Sequence, residues 1–168
     1  MNTSYKPDYV YTGNFGKYWD TKSWDEIEYR DPMLLDLFDK FNEEMFNNEL
    51  KRPHFLIFSK FCFKRETINT FGFFQFWKKN KSDTLHYGIY ISIEEYLILG
   101  QEQVEDTLKH EMIHAYLEQN NKGSHDSHSD FIYMCGWHHV SLFGKTLDYH
   151  PDMKEVKQIT KRYSLRFE

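Results

Sequence analysis

His110, Glu111 and His114 stand in the pattern His-Glu-x-x-His, a spacing that does chemistry when it lies on a helix. Residues four apart on an α-helix sit one above the other, with Cβ atoms about 5–6 Å apart. Two imidazoles so placed can offer nitrogens to one tetrahedral zinc ion. Glu111 follows the first histidine by one step. It can therefore reach a water that such an ion activates without binding the metal, which is the position of a general base in peptide hydrolysis. The chain has 9 His and 14 Glu in 168 residues, and shuffling it would produce roughly 0.04 such matches. The bland alternative is a surface helix with two solvated histidines. Leu108, Met112, Ile113, Ala115, Tyr116 and Leu117 argue against it, because an apolar run of that kind belongs to a helix passing through a core.

A catalytic zinc keeps three protein ligands and one open position. Downstream of the motif, His125, His128, His138 and His139 can supply the third. His125 and His128 lie beside a helix start just after a short loop, where the chain can fold back on the motif helix. His138 and His139 fall about three turns further along and read as packing or surface residues. Tyr133 and Tyr149 are candidate oxyanion donors, with no spacing rule behind either.

The elements that must position these residues are legible around them. Asp31-Pro32 is an N-cap followed by proline at the first helical position. Met33, Leu34, Leu37, Phe38, Phe41, Met45 and Phe46 follow at helical spacing, giving a first helix that Asn47-Asn48 and Pro53 end. Residues 54–63, 71–77 and 86–93 read as strands. Phe55, Ile57, Ser59, Phe61 and Phe63 form one face of the first, Gly72 marks a bulge in the second, and Tyr87, Ile89, Ile91 and Ile93 form one face of the third. Ser92 caps a short helix ending at Gly100, and the motif helix runs from about Glu102 to Asn120. Ser127-x-x-Asp130 predicts a capping box opening a last helix to about His139. Residues 1–30 are rich in Tyr and Trp and read as an aromatic arm lying on the domain formed by residues 31–168.

Composition bounds the function. With 40% hydrophobic and 18% aromatic residues the chain can build a single core. Cys62 and Cys135 form no C-x-x-C pair, so neither a disulfide framework nor a zinc ribbon is readable. Met1 to Trp19 contains no apolar signal-like stretch and nothing is long enough to span a membrane, so the expected location is the cytoplasm. The net charge of −5 is uneven. Residues 1–50 carry 5 Lys/Arg against 11 Asp/Glu, and residues 51–168 carry 16 against 15. Lys60, Lys64, Arg65, Lys78, Lys79 and Lys81 surround aromatic strands, a mixture that can track phosphates, although an aromatic core with a solvated basic loop explains it as well. A non-catalytic zinc-binding domain and a nucleic-acid-binding module are therefore the rival readings.

His-Glu-Met-Ile-His-Ala-Tyr-Leu, followed by a loop and a further histidine ahead of a helix, resembles the SprT-like (Spartan-type) zinc metalloproteases. The resemblance extends to Leu37–Asn42, Phe46 and Leu50 and to Gly88–Ser92, covering roughly residues 32–140. It implies an α+β, zincin-like fold in which a small sheet of three or more strands packs on the first helix and the motif helix. It also implies Zn²⁺, held by His110, His114 and a third histidine, with Glu111 as base. In that family an apolar residue stands four after the third histidine. Ile132 meets this for His128 and Ser129 fails it for His125, so the resemblance selects His128. Ser129-Asp130 stand where the family has Gly-Pro. Protein or peptide substrates, including proteins bound or crosslinked to DNA, are implied by the resemblance alone.

Overall fold

The computed structural model describes residues 5, 7, 9–11, 28–59, 71–77, 84–126 and 128–142. Helix α1 (Pro32–Phe46) begins where the sequence places its cap. The Asp31 carboxylate accepts from the Met33 and Leu34 amides at 3.0 and 3.2 Å, and from the Tyr5 hydroxyl at 2.6 and 2.7 Å. At its far end Asn47 and Asn48 take positive φ, a conformation asparagine tolerates. The buried Asn42 amide then clamps the exit, donating to the Leu50 carbonyl and accepting from the Leu50 amide.

One mixed, five-stranded sheet follows. Strand β3 (Phe55–Ser59) pairs in parallel with β5 (His86–Ser92), and β4 (Gly72–Trp77) lies antiparallel to β5. Two short strands, β1 (Val10–Tyr11) and β2 (Tyr29–Arg30), occupy successive parts of the other edge of β3. β4 ends the order β1-β3-β5-β4. Tyr87, Ile89, Ile91 and Ile93 point into the main core, as their alternation predicts. On β3 the residues facing that core are Leu56 and Phe58, and Phe55, Ile57 and Ser59 are buried on the opposite face. A strand buried on both faces has no polar side, so alternation could not tell which face the helices cover. Pairing runs without a break from Gly72↔Ile91 to Trp77↔His86, so Gly72 is not a bulge. Phe61 and Phe63 lie outside the described residues.

Helix α2 (Ile93–Leu99) starts under a Ser92 cap and ends at Gly100, and α3 (Gln101–Gln119) carries the motif. Val104, Leu108, Met112, Ile113, Ala115 and Leu117 are all buried, on several sides of the helix. α3 is thus embedded between α1, the β4–β5 hairpin and the last helix α4 (Ser129–Trp137). Each large apolar side chain so buried contributes about 1.5–3 kcal/mol. That is why the motif sits on a rigid support. The cap of α4 is His128, whose Nδ1 accepts from the Asp130 amide at 3.2 Å; Ser127, the expected cap, lies outside the described residues. No helix among the described residues is long and apolar enough to cross a membrane.

Candidate metal centre

α3 brings His110 and His114 together. Their Nε2 atoms lie 3.3 Å apart, and both rings are buried. The loop between α3 and α4 adds a third donor, with Asp126 Oδ1 2.9 Å from His114 Nε2 and 3.6 Å from His110 Nε2. Donors about 2.0–2.1 Å from a tetrahedral zinc are about 3.3 Å from one another. The three separations bracket that value, so the donor set fits a single metal ion. Among the described residues, His110, His114 and Asp126 are the group that could hold one.

The ring orientations are fixed from behind. His110 Nδ1 lies 3.0 Å from the Ser141 carbonyl, and His114 Nδ1 meets the Ser124 carbonyl. A carbonyl only accepts, so each Nδ1 carries the proton and each Nε2 lone pair is left for the metal. Phe131 of α4 stacks on His114 with centroids 4.1 Å apart and lies edge-on to His110 at 4.9 Å. Phe74 of β4 lies parallel to His114 at 6.0 Å. These aromatic neighbours shield the imidazoles and restrict their rotation.

Electrostatics follow from burial and the short distances. Burial pushes Glu111 above the usual carboxylate range, against the pull of His114 and His110 and with Asp126 adding to it. A carboxylate raised in this way exchanges its proton nearer to neutral pH. Burial alone would lower His114, but its hydrogen bond to Asp126 and the Glu111 charge hold it above its ordinary value. The same hydrogen bond holds Asp126 below the usual range. A proton on His114 competes with a metal for one lone pair.

The sequence-predicted residues are thus only partly assembled. His110, Glu111 and His114 come together, and His128 does not join them. Besides capping α4, its ring lies over Gly123, where an added Cβ would come within 2.5 Å of Nε2. His125 is exposed, and His138 forms the C-cap of α4. Tyr133 is 68% exposed, and Tyr149 lies outside the described residues. Asp126 is not among the histidines that the His-Glu-x-x-His spacing points to as a third ligand. Its signal was its position in the loop that must fold back on α3, flanked by two histidines.

A model of the SprT-like family matches residues 34–135, from the first helix to the last. The chain belongs to the SprT-like family. No curated protein and no solved structure matches it.

Proposed function

We propose that this SprT-like chain is a zinc metalloendopeptidase of zincin-like architecture, in which His110, His114 and Asp126 hold the metal and Glu111 is the general base. The observation that carries the reading is the convergence of three donor atoms at tetrahedral spacing, beside a buried carboxylate outside the donor set. Two imidazoles and one carboxylate suit zinc and leave a fourth position open. A bound ion supplies Lewis acidity, which makes water nucleophilic near neutral pH and polarises a carbonyl. Glu111 takes a proton from the attacking water at its carboxylate and returns it to the departing amine. Ser141 and Ser124 keep the two imidazoles in the tautomer this requires. His128 is the alternative third ligand, and it would need the loop after α3 to turn its ring away from Gly123.

An extended peptide has a track beside this set. Among the described residues no strand pairs with the outer edge of β4, and an edge of that kind can bind an extended peptide as a further strand. Gly72 on that strand lies against Glu111 and Phe74 against His114, so a peptide paired there would pass the donor atoms. Proteins bound or crosslinked to DNA are the substrate class the family resemblance suggests. The basic residues that would recruit DNA, Lys60, Lys64, Arg65, Lys78, Lys79 and Lys81, lie outside the described residues.

The purified chain should carry about one zinc and cleave an unstructured protein until a chelator removes the metal. Glu111→Gln should keep the metal and lose about 10²–10⁴-fold in kcat. Full turnover in a metal-replete Glu111→Gln sample would take Glu111 out of the mechanism. A metal-loaded wild type that cleaves nothing would leave a non-catalytic metal-binding domain.

A further inference from the structure

The motif and its metal chemistry do not call for a second buried carboxyl group, yet one lies behind the base. Glu95, in the first turn of α2, is 1% exposed. The Thr107 hydroxyl, on α3 one turn before Glu111, donates to Glu95 Oε1 at 2.5 Å. Thr107 in turn touches the spot where β4 meets the base. A Cβ built on Gly72 would fall 2.6 Å from the Thr107 methyl and 2.9 Å from Glu111 Oε1. Both side chains therefore occupy the space that a side chain at position 72 of β4 would need.

We propose that Glu95 is a positioning residue for Glu111: by fixing the Thr107 side chain it sets the wall, shared with Gly72, against which the Glu111 carboxylate rests. The inference rests on the reading of Glu111 as general base. The physical reason is rotameric. Threonine in a helix divides between two χ1 states, because its hydroxyl can also bond a carbonyl three or four residues back. The bond to Glu95 selects the state that turns the methyl toward Gly72. Without it the methyl can leave that wall, and the Glu111 carboxylate gains room to shift. Burial favours the neutral form of Glu95, with the nearby Asp106 and Glu111 charges acting the same way and the Thr107 and Gln103 hydrogen bonds opposing it. A neutral carboxyl accepts the Thr107 bond without adding a negative charge behind the base.

Three variants test this: Glu95→Ala removes the acceptor, Glu95→Gln keeps one without a titratable group, and Thr107→Ser keeps the hydroxyl but removes the methyl. Glu95→Ala and Thr107→Ser should lower kcat about tenfold or more, since misplacing a reacting group by about 1 Å can cost 10²-fold. KM and zinc content should be unchanged, and Glu95→Gln should restore kcat to near wild type. Independently of turnover, ¹⁵N-glycine spectra of the metal-free chain report on the Gly72 amide, one of 8 glycine signals. That signal should move in Thr107→Ser and stay in place in Glu95→Gln. Wild-type kcat in Thr107→Ser, an unmoved Gly72 signal there, or a Glu95→Gln variant as impaired as Glu95→Ala would each overturn the proposal. Thr107→Ser and Glu95→Gln, both near in shape to the native residues, decide the matter if Glu95→Ala does not fold. If the wild type hydrolyses nothing, the peptidase reading fails while the glycine spectra still decide the positioning.

Discussion

Replacing Asp126 with alanine removes the one donor of the proposed metal set that does not come from α3. Zinc binding to small protein sites releases roughly 10–16 kcal/mol, so one ligand of three or four accounts for about 3–4 kcal/mol. At 1.4 kcal/mol per decade, Asp126→Ala should weaken zinc about 10²–10³-fold. Asp126 is more than half exposed, so its loss opens no cavity and the fold should stand. His128→Ala should behave differently. It removes the acceptor that caps α4, costing about 1 kcal/mol of stability, and in the described geometry it removes no donor atom. Zinc affinity should then change less than tenfold. The assay is a competition titration with a chromophoric chelator, run alongside urea melts of the metal-free variants. If His128→Ala loses the metal and Asp126→Ala keeps it, the donor set is wrong, and the loop after α3 must carry His128 onto the ion.

Further outcomes are expected elsewhere. Glu95 holds its proton more tightly folded than unfolded, because burial raises its pKa. The native state then binds more protons above the ordinary glutamate value, so this group makes stability fall as pH rises from about 4.5. Glu95→Gln should therefore gain more stability at pH 8 than at pH 5 in urea melts of the metal-free chain, and an equal change at both would refute a neutral Glu95. Asp31→Ala should cost about 1–2 kcal/mol in the same melts, since it uncaps α1 and strands the Tyr5 hydroxyl; a change under about 0.5 kcal/mol would show that the cap is redundant. A titration with single-stranded DNA at about 50 mM salt should show weak, salt-sensitive binding that charge reversal at Lys78, Lys79 and Lys81 reduces without affecting cleavage of an unstructured peptide. No binding at that salt would leave a DNA-independent protease as the better description.

The sequence by itself determined the local geometry: which residues form α1, the β4–β5 hairpin and α3, where Asp31 and Ser92 cap, and that His110 and His114 share a helix face. These follow from periodicities and capping chemistry that act within a few residues of one another, so they can be read along the chain. The tertiary structure decided what depends on how distant segments meet. It covered β3 on both faces, and it turned Gly72 from an expected bulge into a point of close approach for Thr107 and Glu111. It also brought Asp126 rather than His128 to the two imidazoles. A loop of a few residues can aim any of its polar side chains at a neighbouring helix, and which one arrives depends on competing local bonds. Here the His128 ring serves the start of α4, and the carboxylate two residues earlier lies beside the two imidazoles.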